Sequence, residues 1–375
     1  MKIVIAIDSF KGSLTSLEAG EATKKGILRA LPDAQVTVLP LADGGEGTTE
    51  ALCFAYGASE VEVRTVDPLA RDMVAHYFLA GKTAIMEMSA CSGLYLVEAD
   101  KRNPMVTTTY GLGLMIRDAI GRGATDFIIG IGGSATNDAG LGMLCALGWR
   151  FFDKDGAEVI HGAHGAGRVA KIDTSAVMPA LAECKFRVLC DVQNPLLGEN
   201  GASYVYAPQK GAKAHELPIL DTYLASFAKV SAEYYPHSDA FYPGAGAAGG
   251  LGFAFLSYLN STLISGAQAV LDATGFEIAT RDADILVTGE GRIDSQTING
   301  KAPIVATRIA KKYVGRVIGL CAITGTGYEI CHENGIDEIY PCADPTLSVE
   351  ENMTLEVAKA CVERTAYRVF SGGTK

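Results

Sequence analysis

The chain begins and ends on the same alternation of strand and helix signals, and this restricts its fold more than any other feature. Lys2 to Ile7 is apolar and rich in β-branched residues, and Thr15 with Glu18 makes a capping-box pattern ahead of a helical run containing Ile27, Leu28 and Leu31. Gln35 to Leu41 reads as a second strand. Near the other end, apolar runs at Asp284–Thr288, Arg316–Ile323 and Asp337–Tyr340 alternate with helix-like stretches at Pro303–Tyr313 and Glu350–Val369. Two strands from one end and three from the other would complete a five-stranded, doubly wound parallel sheet. The predicted fold class is therefore α/β, with one discontinuous domain from residues 1–64 and 282–375 and a second α/β domain, 65–281, inserted in it. Thr83–Met88, Asp126–Ile131, Trp149–Phe152 and Lys185–Cys190 read as strands of the insert. Pattern alone also allows two consecutive domains. The length of 375 residues asks for two, since one domain ordinarily holds about 100 to 200.

Six short segments rich in glycine and acids sit where apolar runs stop or helix-like runs start. They are Asp8–Ser13, Asp43–Thr48, Gly132–Asp138, Asp191–Pro195, Gly244–Gly250 and Gly289–Asp294. Glycine lets backbone N–H groups come close to an anion, and neighbouring carboxylates can hold the divalent metal that accompanies a nucleotide. In doubly wound sheets ligands bind beyond the carboxyl ends of the strands, where most of these segments fall.

Charge and composition remove several functions. A net charge of −11 argues against nucleic acid or an anionic membrane as partner. The opening apolar run is too short for a signal peptide, and nine cysteines without a Cys-x-x-Cys pair read as buried thiols of a cytoplasmic protein. His161 and His164 lie in a glycine-rich stretch that reads as a loop, so a metal pair there is not expected. Ala240–Leu271 carries no charge and is long enough for a bilayer, but Pro243, Asn260 and many glycines favour a buried loop and helix.

Each segment has a structural reading beside the functional one. Asp8 and Ser9 with Lys11 could meet a phosphate or carboxylate at a helix start, or form a plain strand-to-helix turn. Asp43, Gly44 and Gly45 could do the same, or Asp43 and Glu46 could simply complement a helix dipole. Gly132, Gly133 and Ser134, with Asn137 and Asp138, offer N–H groups and polar side chains to a phosphate. Gly130, Gly132 and Ala135 also match a dinucleotide fingerprint with Asp153 downstream, which makes an NAD(P)-dependent hydroxyacid oxidoreductase the rival; Asp153–Gly156 reads equally as a hairpin turn. Asp191 could contact a substrate hydroxyl and Asn194 line the site, although both are also common turn formers. Gly289, Glu290, Gly291, Asp294, Gln296 and Lys301 combine possible metal ligands, Glu290 and Asp294, with a phosphate-binding lysine; Ser295 and Ala302 rule out a Walker A motif. A non-catalytic nucleotide or sugar-acid binding protein is the third reading.

In their order along the chain, these segments resemble the type I glycerate kinase family. The resemblance rests on Asp8-Ser9-Phe10-Lys11, Ala42–Thr48, Gly130–Asp138, Asp191–Leu196, Gly244–Gly252 and Thr288–Lys301. It implies a flavodoxin-like domain built from both termini, an inserted α/β domain, and an active site in the cleft between them. It also implies ATP with Mg²⁺ as phosphoryl donor and D-glycerate phosphorylated on its 2-hydroxyl, giving 2-phosphoglycerate. On this reading Asp191, Lys11 and Asp294 are the catalytic candidates. The chain departs from the family pattern at Ile7, at Gly111-Leu112-Gly113-Leu114 and at Cys321-Ala322-Ile323.

Overall fold

The computed structural model of the chain describes residues 1–45, 47–159, 161–259 and 261–372. Its strands run in chain order as β1 (Lys2–Ile7), β2 (Gln35–Val38), β3 (Ser59–Val66), β4 (Asp72–Ala80), β5 (Thr83–Glu87), β6 (Asp126–Gly130) and β7 (Arg150–Phe152). They continue as β8 (Glu158–Val159), β9 (Lys171–Asp173), β10 (Lys185–Leu189), β11 (Thr262–Ile264), β12 (Ile285–Ile293), β13 (Arg316–Thr324) and β14 (Glu338–Pro341). The chain divides into two compact units, Met1–Tyr56 with Ser265–Lys375, and Gly57–Ile264.

The first unit holds a five-stranded sheet in the order β14-β13-β12-β1-β2, parallel throughout. Counted within the unit, this is the order 2-1-3-4-5 of flavodoxin-like domains. Strand β1 shows why both faces must be covered. Ile3, Ile5 and Ile7 join one buried cluster with Ile27, Ala358 and Val362, while Val4 and Ala6 join another with Ala267, Leu271, Ile304 and Ala306. Alternate residues thus feed opposite layers, and each large side chain withdrawn from water contributes roughly 1.5–3 kcal/mol. The helix Ser16–Ala30 starts at the expected capping box, Glu18 N–H donating to Thr15 Oγ1 at 3.2 Å and Thr15 N–H to a Glu18 carboxylate oxygen at 3.0 Å. It packs closely on the helix Leu355–Phe370, because a Cβ on Gly26 would collide with the carbonyl oxygen of Glu363. The single helix expected over Glu350–Val369 is two, Val349–Asn352 and Leu355–Phe370, since Thr354 between them is extended and its hydroxyl donates back to Glu351 O at 2.7 Å.

The second unit carries a six-stranded sheet, β11-β10-β6-β5-β4-β3, parallel from β11 to β5 and antiparallel beyond, and a small antiparallel sheet, β8-β7-β9. Strand β3 crosses the boundary drawn at residue 64, and the unit begins instead at Gly57. Its outward residues Glu60, Glu62 and Arg64 are exposed, so it lacks the apolar run that marks the buried strands. The helices Gly266–Ala273 and Phe276–Arg281, expected in the insert, belong to the first unit, where Ala267, Leu271 and Phe276 are buried beside Val4 and Ala6.

The uncharged stretch from Ala240 breaks into the interrupted helix Ala247–Tyr258, β11 and the helix Gly266–Ala273; Asn260 lies outside the described residues. No helix among the described residues is long and apolar enough to cross a membrane. Gly111–Leu114 is the first turn of a helix, Tyr110–Gly121, and a Cβ on Gly111 or Gly113 would strike the carbonyl oxygen of Val66 or Met143. These glycines serve packing. His164 sits on a short helix, Gly162–Ala166, rather than in a loop, beside the ring of Tyr223 at 5.5 Å.

Candidate active site

The six segments sort into two groups of three, one group in each unit. In the first unit, β1 and β12 run in register with Ile7 opposite Gly289, and Asp8 N–H donates to Gly289 O at 2.8 Å. Strand β12 runs on to Ile293, so Gly291 passes beside Phe10, where an added Cβ would stand 3.3 Å from the Phe10 Cα. Gly289 is glycine for another reason: a Cβ there would collide with the carbonyl oxygen of Leu320 on β13. Gly44 has φ +101° and lies against Gly266, while its N–H donates to Thr48 Oγ1 at 3.0 Å and so fixes the start of the helix Thr48–Tyr56. Gly45 N–H donates to Asp43 Oδ1 at 3.1 Å; Glu46 lies outside the described residues.

The end of β12 is tied by polar bonds. Glu290 is buried, accepting from Thr297 Oγ1 at 2.7 Å and from Lys301 Nζ at 2.9 Å. Asp294 accepts from Gln296 N–H at 2.9 Å and pairs with Arg292 at 3.1 Å. A pocket of about 530 Å³ opens here, lined by Asp8, Ser9, Lys11, Glu290 and Lys301, and also by the apolar Leu347, Val349, Met353 and Val362.

Negative charge is concentrated around Asp8. Burial, and then the nearby Asp43 and Glu290, push its carboxyl up to about 7, against the pull of Ser9 N–H and Lys11. Burial also raises Glu290 despite Lys301 and Thr297. Burial works against the charge on Lys301, but Glu290, Asp294 and Asp43 together outweigh it and hold the ammonium above its usual range. Among the described residues no three acidic, imidazole or thiol groups are spaced to cage a metal. Mg²⁺ carried by a nucleotide needs only one or two carboxylates besides phosphates and water. Glu290 and Asp294, the ligands expected from sequence, already satisfy cationic and N–H partners. Asp8 and Asp43, which accept N–H groups of Ser9 and Gly45 but have no ion pair at contact distance among the described residues, are the other candidates, because a cation would relieve their mutual repulsion and the buried Ser9 Oγ next to Asp8 has no partner.

In the second unit, Leu189 of β10 stands opposite Gly130 of β6, so Gly132–Asp138 and Asp191–Asn194 leave the carboxyl ends of adjacent strands. The third segment wedges the two together: Ala139 N–H donates to Gly249 O and Gly246 N–H to Asn194 O, each at 3.0 Å. Ala248, Gly249 and Gly250 have φ of 53°, 69° and 90°, which is why the helix Ala247–Tyr258 is interrupted. A Cβ on Gly246 or Gly249 would collide with the carbonyl oxygens of Pro195 or Thr136.

Several residues expected to bind ligand are occupied with holding these loops. Asp138 is fully buried and accepts from Thr109 N–H, Thr109 Oγ1, Gly142 N–H and Gly140 N–H at 2.8–3.2 Å, although burial raises its pKa. Asn194 receives Tyr206 Oη at 2.6 Å and donates to Asn200 O at 2.8 Å. Asn137 donates to Ser203 Oγ at 3.1 Å, and its Oδ1 is buried without a partner. Gly132, Gly133 and Asp191 are exposed.

One functional candidate escaped the sequence reading. Lys210 is 2% exposed, and its Nζ donates to Ser134 Oγ and to Thr136 O, both at 2.7 Å. Burial lowers its pKa to about 7, partly offset by Asp138. Only a missing surface partner on a short Pro208–Lys210 turn could have signalled it, and a lone lysine carries no such mark.

The dinucleotide rival fails on geometry. The turn after β6 does not open directly into a helix; the helix Leu141–Ala146 begins only after Gly140, which has φ 73°. Asp153 caps the β7–β8 hairpin, accepting from Asp155 N–H and Ala157 N–H and pairing with Arg168, so it is no free ribose ligand.

A flavodoxin-like sheet with lysines and carboxylates at its strand ends, and a second, mixed sheet whose parallel strands end in an exposed glycine turn, define an α/β protein with polar loops gathered at the carboxyl ends of parallel strands. The chain matches the profile of the glycerate kinase family over residues 3–372, and it belongs to that family, an enzyme family of kinases. It is 44% identical over 353 residues to the glycerate kinase of Halalkalibacterium halodurans, covering 94% of this chain and 93% of that one. It is 45% identical over 342 residues to the glycerate 2-kinase of Escherichia coli K12, covering 91% and 90% of the two chains. A crystal structure from Salmonella typhimurium LT2, provisionally named glycerate kinase 2, superposes with a TM-score of 0.89 at 41% identity, covering 99% of this chain and 98% of that one.

Proposed function

We propose that this chain transfers the γ-phosphoryl group of ATP, accompanied by Mg²⁺, to the 2-hydroxyl of D-glycerate in the cytoplasm, giving 2-phosphoglycerate. The observation that carries this reading is the sorting of the six segments into two groups, each at the carboxyl ends of parallel strands. Two groups suit two substrates. The first unit's pocket of about 530 Å³ has the size and mixed lining of a nucleotide site, with Lys11 and Lys301 for the phosphates. The second unit's Gly132–Ser134 turn takes an oxyanion, and the exposed Asp191 accepts a hydrogen bond from the reacting hydroxyl.

Phosphoryl transfer passes through a loose transition state, so positioning and charge neutralisation supply most of the acceleration. Asp8 and Asp43 would hold the metal, which neutralises phosphate charge. Lys301 keeps its proton through its carboxylate neighbours and so offers a fixed positive charge. Asp191 orients the hydroxyl and takes its proton as the new P–O bond forms.

The test couples purified protein, ATP, Mg²⁺ and D-glycerate to enolase. Phosphoenolpyruvate formed without added phosphoglycerate mutase is the expected result. Dependence on the mutase would instead indicate 3-phosphoglycerate, and no ADP release above background would overturn the kinase reading. A binding protein without turnover would show only ligand-dependent melting.

A further inference from the structure

A buried ammonium is costly unless a negative group compensates it. The bonds of Lys210 go to two neutral oxygens, Ser134 Oγ and Thr136 O, and Asp138 acts on it only at longer range. The oxygens of that aspartate are engaged by four other donors. Around the same turn, Thr136 Oγ1 and Asn137 Oδ1 are fully buried and unpartnered. The N–H groups of Gly132, Gly133 and Ser134 donate to no backbone carbonyl among the described residues. The turn is thus a donor array with a positive charge behind it.

Ser134 Oγ accepts from Lys210, so its own hydrogen is directed elsewhere, and no acceptor for it lies among the described residues. We propose that Lys210 is a positioning residue: its buried ammonium polarises and orients the Ser134 hydroxyl so that this hydroxyl, with the Gly132–Ser134 N–H groups, donates to an oxyanion of one substrate. This rests on the reading that the turn binds an anion. A carboxylate and a terminal phosphate share that chemistry. A charge-assisted donor is roughly twice as strong as a neutral one, and the anion in turn compensates the buried cation. Gly211, at φ 101° against the Arg102 carbonyl, fixes the backbone next to the lysine.

The experiment measures binding by calorimetry, with D-glycerate alone and with a non-hydrolysable ATP analogue plus Mg²⁺ alone, to wild type, Lys210→Met, Ser134→Ala and the double variant. The expected result is that each single variant weakens one ligand, and only one, by about tenfold or more, with the double no weaker than the worse single. Loss on the glycerate arm names its carboxylate as the anion, and neutral glyceramide should then bind wild type and variants alike. Loss on the nucleotide arm names a phosphate. Unchanged binding of both ligands, equal weakening of both, or additive losses would overturn the proposal. If Lys210→Met does not fold, Ser134→Ala alone decides, because it leaves the lysine in place. Wild type that binds neither ligand would overturn the kinase reading instead.

Discussion

The ammonium of Lys301 donates to Glu290 Oε2 at 2.9 Å, joining the residue that starts a helix to the far end of a central strand. The pair places a fixed positive charge on the pocket wall. Lys301→Met should lower kcat/KM for ATP by at least about a hundredfold, in the range of a lost charged partner of a phosphoryl group. Stability should fall by about 1–3 kcal/mol, because the one-third-exposed lysine is partly screened but its loss leaves the buried Glu290 without its cation. Steady-state kinetics beside urea unfolding checks both; unchanged kinetics would remove Lys301 from the site.

Asp8 gives the protein a pH signature. Its folded-state pKa of about 7 stands above the ordinary 3.8, so between those values the folded chain keeps a proton that the unfolded chain has lost. Stability due to Asp8 is greatest below pH 4 and declines as pH rises towards 7, by up to about 4 kcal/mol at 1.36 kcal/mol per unit. Asp8→Asn should therefore gain on wild type in denaturant midpoint as pH rises from 4 to 7, with the difference flat above. A difference independent of pH would show that the carboxyl titrates normally.

Glycine plays two separable parts. Gly246→Ala and Gly249→Ala drive a methyl group into backbone oxygens and should cost several kcal/mol of stability, seen in chemical denaturation. An added Cβ on Gly132 meets nothing within 4 Å, so Gly132→Ala should change stability by less than about 1 kcal/mol while raising KM for the anion bound there. An unaltered KM would take Gly132 out of the binding surface.

Much of the first unit was legible because its central strands are buried on both faces, which writes a continuous apolar run into the sequence at Lys2–Ile7 and again before Thr288. Strand β3 was not, since its exposed charged residues alternate with Val61, Val63 and Thr65, which face inward at a sheet edge. The glycine segments were visible as segments but not as parts. Gly246, Gly249 and Gly289 answer to neighbouring backbone, and Asp138 and Asn194 to their own loops, demands set by residues far away in sequence. Lys210 was hidden because lysine is overwhelmingly a surface residue, and only packing reveals one that is not.

Asp191→Asn tests the proton acceptor. It is exposed beyond the end of β10, so melting temperature should move by less than about 2 °C while kcat falls about 10²–10⁴-fold. A parallel loss of thermal stability and turnover would make the effect architectural.

Strand β1 lies between β2 and β12, so one of its two neighbours is more than two hundred residues away along the chain. As the polypeptide leaves the ribosome, the edge of β1 that pairs with β12 stays open until all of Gly57–Ile264 has emerged. Only the segment after residue 264 can close this sheet, and Lys2–Ile7 presents an unpaired strand edge until it arrives.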